Sequence, residues 1–413
     1  MNNLAYDIYS VNSEKSGVSR LTLTDFRNYQ FLRINVNKNI IVIYGENGSG
    51  KTNILEAISF LTPGRGIRNA KLADIKRISF NENNEYAPEK ISTFNWAIAS
   101  EVYLGNEIFN IGTAVEQSSR EVFCNDDVEN GNKCFERRIV KIDGNKVSSQ
   151  AELGKYISAI WLTPQMDRLF RGGSQPRRSF LDRLVYAFDM EHAKRILNFE
   201  HFYKEWYRLL KDNIIDDIWL SGLEDNMATL GVAIAAARRE QIARLNTFIE
   251  NEPDGVFPNV RLELDGTIEK LLDTLPAIDV EDKYKQILRK QRKNILKNEA
   301  ADGINRTDFK VFYKKKNMPA ELCSTGEQKS LLISMILAQV KCQTLHKGFA
   351  PVLLLDEVVA HLDNEKKEAL LDKIKELGAQ AWITTTNPEL FASLKKEAQF
   401  LKVENNQVIE AIT

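Results

Sequence analysis

The chain has 413 residues, of which 43% are hydrophobic and 27% charged, a composition typical of a globular protein with two domains or lobes. Its net charge of −1 excludes a globally basic chain, so a nucleic-acid surface would have to be local. Four cysteines without a CxxC pair argue against a zinc site or a disulfide framework, and no apolar run approaches the ~18 residues of a membrane span.

The first part of the chain predicts an α/β region. Residues 1–18 are polar, show no basic-then-apolar signal pattern and are predicted to be an extension of a cytoplasmic protein. Residues 20–26 alternate as a strand does, and residues 39–45 (NIIVIYG) form the continuous apolar run of a buried parallel strand. Residues 53–62 then show helical spacing.

Two polar segments, 81–90 and 115–138, are predicted to be surface insertions between strands. Residues 176–250 favour helices, and residues 280–297 predict a basic helix. The region after residue 330 alternates helices and strands again. We therefore predict a nucleotide-binding lobe from residues 19–170 and 300–413, with a mixed sheet, interrupted by a mainly helical second lobe at 171–299.

Residues 45–52 read GENGSGKT, which fits the phosphate-loop pattern G-x-x-x-x-G-K-[ST] between a strand and a helix. Its glycines allow backbone N–H groups to turn inward toward phosphate oxygens, next to a helix N-terminus. Lys51 is expected to reach the β and γ phosphates of ATP, and Thr52 to bind Mg²⁺. The residues predicted to bind the nucleotide are Gly45, Glu46, Asn47, Gly48, Ser49, Gly50, Lys51 and Thr52.

Residues 351–357 (PVLLLDE) form a hydrophobic strand that ends in Asp356 and Glu357, the Walker B pattern. Asp356 is expected to hold Mg²⁺, and Glu357 to orient or deprotonate the attacking water. His361 to Asp363 follow at the spacing of the dimer-contacting loop of ABC-type ATPases. A later strand ends in three threonines, 384–386; the pattern leaves open which one senses the γ-phosphate, and Thr386 is taken as the candidate.

Residues 323–330 (CSTGEQKS) precede an apolar helix. Ser324 as N-cap and Glu327 three positions later predict a capping box. A helix start with Ser324, Gly326 and Glu327 also carries free N–H groups and partial positive charge, which suit a γ-phosphate.

Several blocks together resemble one family. They are LTLTDFRNYQ (21–30), YGENGSGKTNILEAISFLTPGRGIR (44–68), WLTPQMDRLFRGGSQPRRSFLDRL (161–184), GINRTDF (303–309), CSTGEQKS and LLLDEVVAHLD (353–363). These strongly resemble the RecF family of bacterial DNA recombination and repair ATPases, over residues 20–405. Departures are Ile304 and Asn305, where the family usually has Pro and His, and Cys323, where the signature usually opens with Leu.

The resemblance implies a P-loop ABC-type ATPase head, like that of SMC proteins but without the long coiled coil. It implies homodimers that form on ATP, the signature of one copy covering the nucleotide of the other. It also implies slow ATP hydrolysis and binding to double-stranded DNA near single-strand gaps. RecR and RecO are the implied partners in loading recombinase. Arg27 either touches phosphate or braces the loop.

Candidates for DNA contacts are local basic residues, which would make binding salt-dependent and independent of sequence. The alternative for each is a solvated face balanced by nearby acids, and Arg177 and Arg178 could instead be structural pairs held against Asp182. The DNA candidates are Arg65, Arg68, Lys290, Arg292, Lys293 and Lys315.

Three other functions agree less well with the sequence. A transporter ATPase would not account for the FRNY and RRSFLD blocks. An ATPase–nuclease of the overcoming-lysogenisation type needs an acidic C-terminal domain, whereas few residues follow Asp363. A small-molecule kinase leaves CSTGEQKS unexplained.

Overall fold

The computed structural model describes residues 14–77, 94–118, 135–214, 216–250, 252, 255–296, 302–359 and 362–410. They form two compact units: the first ends at Pro164 and resumes at Gln343, and the second is Gln165–Cys342. The predicted boundaries differ, because residues 300–342 group with the inserted unit. The reason is that the strand at 308–313 pairs with the strand at 260–265, which a linear reading of the chain does not reveal.

The predicted extension and insertions are only partly described. Residues 1–13, 78–93 and 119–134 lie outside the described residues. Residues 16–18 belong to a strand rather than to an extension, and both ends of the predicted insertion 115–138 are strand residues. None of the described helices is long and apolar enough to cross a bilayer.

In the described residues, the first unit holds two sheets and two α-helices that lie wholly within it. Its elements are β1 Ser16–Phe26, β2 Tyr29–Asn35, β3 Ile40–Tyr44, α1 Lys51–Ser59, β4 Phe94–Leu104, β5 Glu107–Ser118, β6 Phe135–Ile142, β7 Asn145–Lys146, β8 Ala159–Leu162, and later β12 Val352–Asp356, α8 Asn364–Glu376, β13 Ala381–Thr385, β14 Ala398–Glu404 and β15 Gln407–Glu410.

The second unit is mainly helical. Its elements are α2 Ser174–Tyr186, α3 His192–Lys211, α4 Asp217–Glu250, β9 Val260–Asp265, α5 Thr267–Leu271, α6 Ala277–Leu296, β10 Asp308–Tyr313, β11 Met318–Pro319 and the start of α7 Thr325–Lys347, a helix that ends in the first unit.

The central sheet has the order β15-β14-β3-β13-β12-β8 and is parallel except for β15. Strands β12 and β13 are fully buried, as apolar runs in parallel sheets are. Strand β13 lies between β3 and β12, and Asp356 pairs in register with Thr384. The carboxyl ends of β3, β13 and β12 therefore meet at one edge, where the phosphate loop begins.

The other sheet of the first unit is antiparallel, with the order β2-β1-β4-β5-β6-β7. Its inner face meets α1 in an aromatic cluster, in which the Trp96 ring lies 5.7 Å from that of Phe26 and 5.4 Å from that of Phe60. Both contacts are edge-to-face, the arrangement that aromatic pairs prefer. This cluster fixes the helix that follows the phosphate loop.

The second unit has its own apolar core between α3, α4 and α6. Trp206, Met227 and Tyr284 are its large, fully buried members. A short sheet, β11-β10-β9, completes the unit. The second unit therefore has a hydrophobic core of its own.

Candidate nucleotide site

The phosphate loop needs glycine at two positions for steric reasons. Gly45 has a φ of +154°, and a Cβ there would lie 2.3 Å from the Val403 carbonyl oxygen. Gly50 has a φ of +108°, and a Cβ there would lie 2.4 Å from the Asn28 side-chain nitrogen. The loop is thus held tightly from both sides in a backbone conformation that L side chains rarely adopt.

Lys51 lies over the loop. Its Nζ donates hydrogen bonds to the carbonyl oxygens of Gly45 at 2.8 Å and Glu46 at 2.7 Å. Burial lowers the pKa of Lys51, and the nearby charges of Glu357 and Asp356 partly oppose that shift. A buried ammonium beside a loop of N–H groups is suited to an anionic ligand.

Thr52 and Asp356 meet although 304 residues separate them, since the Thr52 hydroxyl lies 2.9 Å from Asp356 Oδ1 and 3.1 Å from Oδ2. A hydroxyl and a carboxylate are oxygen ligands of the kind that Mg²⁺ takes together with substrate phosphates. The donor set therefore fits a magnesium nucleotide, with Thr52 and Asp356 as the residues that would hold the ion.

Thr384 connects the carboxylate of Asp356 to the backbone of Glu357. Its Oγ1 donates to Asp356 Oδ1 at 2.7 Å and accepts from the Glu357 N–H at 3.0 Å. Glu357 has a φ of +52°, a left-handed conformation that is uncommon for a residue with a side chain. The hydroxyl of Thr384 thus fixes both a carboxylate and a strained backbone; the threonine triplet was the signal for it, but the candidate chosen was Thr386.

The other predicted residues near this edge have different surroundings. Thr386 is exposed just after β13, and no hydrogen bond of its side chain is seen within the described residues. Asp363 is the N-cap of α8 and accepts from the Lys366 N–H at 2.8 Å, a bond that lowers its pKa. His361 lies outside the described residues. The roles given to these residues stay predictions.

The FRNY segment braces the loop through two contacts that the sequence did not indicate. Asn28 donates to the Ser49 carbonyl at 3.2 Å, and Tyr29 donates to the Gly50 carbonyl at 3.1 Å. Phe26 and Tyr29 are fully buried. The segment therefore supports the loop from the side of β1 and β2.

Arg27 and Arg68 share one buried partner. Glu56 on α1 is fully buried and accepts from Arg27 at 2.6 and 2.9 Å and from Arg68 at 2.8 Å. Charge-assisted pairs of this kind are among the stronger hydrogen bonds. Within the chain, Arg27 and Arg68 thus hold α1 in place; nothing in this geometry assigns them a ligand.

The helix start at the signature is the predicted capping box. Ser324 Oγ accepts from the Glu327 N–H at 3.3 Å, and Glu327 Oε2 accepts from the Ser324 N–H at 2.9 Å. The Lys316 ammonium, together with Ser324, lowers the pKa of Glu327 to about 2. An added Cβ at Gly326 would meet nothing within 4 Å, so this glycine leaves the N-terminus of α7 open.

The DNA candidates fall into two groups. The first group is held by carboxylates: Arg68 by Glu56, and Arg292 by Glu224 at 2.5 and 2.7 Å and by Asp217 at 2.5 Å. The second group is exposed and shows no ion pair within the described part of the chain; its members are Arg65, Lys290, Lys293 and Lys315.

Arg177 and Arg178 form structural pairs, the alternative given above, but their partner is not Asp182. Arg177 pairs with Asp308 at 2.7 and 2.9 Å, and Arg178 donates to the Thr307 carbonyl at 2.8 Å. Asp182 is instead held by Arg238, at 2.8 and 2.9 Å. Both arginines belong to the RRSFLD block and bind residues of the GINRTDF block. These two sequence blocks therefore form one structural contact.

Comparison with known proteins agrees with this architecture. Residues 17–409 match the family model of the RecF/RecN/SMC N terminal domain. The protein named DNA replication and repair protein RecF from Rhizobium rhizogenes is 39% identical over 396 residues, which cover 95% of this chain and 98% of that protein. Its counterpart from Agrobacterium fabrum is 39% identical over 398 residues, with 96% and 99% covered.

Solved structures give the same fold. The structure of the recombination mediator protein RecF-ATPrS in the RecFOR pathway matches with a TM-score of 0.77 at 20% identity, covering 98% of this chain and all of that one. An SMC head bound to the C-terminal winged-helix domain of ScpA matches with a TM-score of 0.51 at 16% identity, covering 95% and 97%.

Fold and site together define an ABC-type ATPase head of the SMC kind, interrupted by a helical unit, which confirms the predicted fold class. Its phosphate loop, Walker B strand and signature stand in the order that this class requires. The chain belongs to the RecF family, so the resemblance drawn from its sequence blocks is confirmed.

Proposed function

We propose that the chain is an ATP-dependent DNA-binding protein of recombinational repair and replication restart. The observation that carries the proposal is the junction of Thr52, Asp356 and Thr384 beneath the phosphate loop. In a P-loop ATPase this junction is where the magnesium ion of the nucleotide is held. The names of the curated relatives support the placement in DNA replication and repair.

The residues at the junction have separate tasks in this proposal. The loop backbone from Gly45 to Thr52 binds the phosphates, Lys51 neutralises them, and Thr52 with Asp356 orients Mg²⁺. When bound, the ion supplies charge stabilisation to the transferring phosphoryl group. Glu357, fixed by Thr384, orients the attacking water and receives its proton, and hydrolysis is slow.

The signature completes the site of a second copy. Ser324, Gly326 and Glu327 form a capped helix start whose remaining N–H groups suit a γ-phosphate. Asp363 is proposed to lie at the same dimer contact, and Thr386 is proposed to sense the γ-phosphate. ATP would therefore bring two copies together, and two nucleotides would be enclosed in the homodimer.

Dimerisation is proposed to join two weak DNA surfaces into one. Arg65, Lys290, Lys293 and Lys315 are the favoured contacts, because they are exposed and carry no ion pair in the described residues. Arg68 and Arg292 are less favoured, because carboxylates already hold them. The partner is double-stranded DNA next to a gap, in the cytoplasm, where RecR and RecO help to load recombinase.

The test of this function measures binding to labelled duplex DNA at rising salt, with and without ATP and Mg²⁺. We expect ATP to tighten binding and salt to weaken it steeply, since phosphate contacts release counterions. Affinity that responds to neither ATP nor salt would refute the proposal.

A signature variant separates ATP binding from dimerisation. Ser324→Arg is expected to leave ATP binding to the monomer intact while dimerisation and hydrolysis are lost. Ser324→Thr is the matched control, because it keeps a hydroxyl cap and should retain all three. If Ser324→Arg abolished ATP binding to the monomer, the proposal of a shared site would be wrong.

A further inference from the structure

The outward face of the antiparallel sheet carries a row of residues in register across five strands. Arg33 on β2 lies opposite Thr22 on β1, which lies opposite Ala99 on β4. Ala99 lies opposite Gly112 on β5, and Gly112 opposite Lys141 on β6. The row thus has small residues in the middle and a cation at each end.

The residue types in the middle of this row, Ala99 and Gly112, are unusual for an exposed sheet face. Alanine and glycine are depleted in strands, where β-branched and aromatic residues are favoured. Gly112 is paired regularly on both sides, and an added Cβ would meet nothing within 4 Å. Neither a bulge, nor a positive φ, nor internal packing explains the glycine. A glycine inside a strand often marks a place where a ligand approaches the backbone closely.

The same residues line an open cavity of about 350 Å³, which we call the sheet trough. Its charged lining residues are Arg20, Arg33 and Lys141, and no acidic side chain lines it in the part of the chain that the structure describes. Arg20 pairs with Glu101, whereas Arg33 and Lys141 have no carboxylate partner among the described residues. The trough is therefore complementary to an anion that can reach both rims.

An aromatic side chain stands at one rim. Phe31 is 60% exposed and lies two residues before Arg33 on β2, so both side chains share the outward face. The Arg33 guanidinium is 5.8 Å from the centre of the Phe31 ring. An exposed ring beside cations is the combination with which proteins bind unpaired nucleotides, through base stacking and phosphate contacts.

We propose that the sheet trough binds a segment of single-stranded DNA, with a base stacked on Phe31 and phosphates at Arg33 and Lys141. An unpaired strand can present a base face and its phosphates at once, whereas a duplex keeps its base faces stacked inside. An acidic peptide would satisfy the cations but leave the ring exposed. The inference rests on the proposed function and deepens it, since a single-strand site in addition to a duplex site would direct the protein to gaps.

The experiment uses the full chain and a labelled oligothymidylate of about 15 nucleotides, with a duplex of equal length measured in parallel. Gly112→Val fills the floor of the trough at a regular strand position, and its β-branched side chain suits a strand. Phe31→Ala removes the ring. The matched controls are Ile108→Ala, another exposed apolar residue of this sheet, and Lys155→Gln, an exposed lysine of the same unit.

We expect Gly112→Val and Phe31→Ala each to weaken single-strand binding roughly fivefold or more, with duplex binding and both controls unchanged. Lys141→Gln should reduce the salt dependence of single-strand binding by about 0.7 in log–log slope, the value for one phosphate contact.

Three results would overturn the inference while the proposed function stands: no single-strand binding by a wild type that binds duplex, unchanged single-strand binding in the variants, or equal loss of duplex binding. Competition by polyglutamate that depends on Gly112 in the same way would also overturn it, in favour of an acidic protein ligand. Failure of the wild type to bind either DNA would count against the proposed function as well.

Discussion

Replacing Thr384 with valine removes one hydroxyl and almost no volume. That hydroxyl is buried, donates to Asp356 at 2.7 Å and accepts from the Glu357 N–H at 3.0 Å. A hydrogen bond to a charged group contributes about 1.5–3 kcal/mol, and a buried N–H left unpaired costs about 1–3 kcal/mol. Because Asp356 keeps its bond to Thr52, we expect Thr384→Val to lower the free energy of unfolding by about 3 kcal/mol.

Thr384→Ser is the control, because it keeps the hydroxyl and loses only a buried methyl, at a cost of about 1 kcal/mol. Urea unfolding can be followed by the fluorescence of the five tryptophans, one of which, Trp382, is fully buried in the same strand. Hydrolysis should fall with valine and persist with serine, because only valine releases the Glu357 backbone. If serine and valine variants behaved alike, or if valine changed stability by less than about 0.5 kcal/mol, the bridging role of Thr384 would be refuted.

Three further predictions follow from the site. Glu357→Gly should raise the free energy of unfolding by about 1 kcal/mol in urea titrations, since glycine accepts the left-handed backbone without strain. Hydrolysis should be lost in the same variant. A variant that is less stable than the wild type would show that the Glu357 backbone is not strained. Because the pKa of Glu327 is lowered to about 2, its stabilising effect is complete above its unfolded pKa and disappears as pH falls through the folded value. The stability difference between wild type and Glu327→Gln, measured by thermal unfolding, should therefore be constant from pH 8 to about 5 and shrink toward pH 2, and a difference that grows on acidification would be inconsistent with this sign. Arg65→Ala should weaken duplex binding without loss of stability, whereas Arg68→Ala should destabilise the protein because buried Glu56 loses a partner; the reverse pattern would exchange their roles.

The local features of the site could be read from the sequence. The phosphate loop, the apolar strand before Asp356 and the capping box at Ser324 each depend on residues close together in the chain. Their patterns reflect backbone geometry, and backbone geometry is set locally by glycine, β-branched runs and N-cap side chains. The structure places all three where the patterns predicted them.

The features that depend on distant partners could not be read in this way. The basic helix at 280–297 suggested a DNA surface, yet Arg292 is held by Glu224 and Asp217, which lie 68 and 75 residues earlier. Glu56 gave no signal in the sequence, because its two arginines come from different segments. Net charge along one helix does not show which cations are already paired.

The boundary predicted at residue 300 differs from the observed one, at Cys342, for a similar reason. Strand β10 looks like the start of the returning nucleotide-binding lobe, but it pairs with β9 over six residues from Asp308 to Tyr313. Arg177 and Arg178 then tie the adjoining block to α2. Pairing between two strands that a helical segment separates is determined by tertiary structure. The alternation of residues within each strand does not specify it.

We propose that the ATP site is completed only when two copies of the chain come together. The molecular mass of the Glu357→Gln variant in ATP and Mg²⁺ tests this proposal most directly. Loss of the carboxylate that we propose activates the water should trap the ATP-bound state, so light scattering should give twice the 47.2 kDa of one chain. The same variant carrying Ser324→Arg should stay at the mass of one chain while still binding ATP. A Glu357→Gln protein that binds ATP and remains a monomer, or a dimer that is indifferent to Ser324→Arg, would contradict the account.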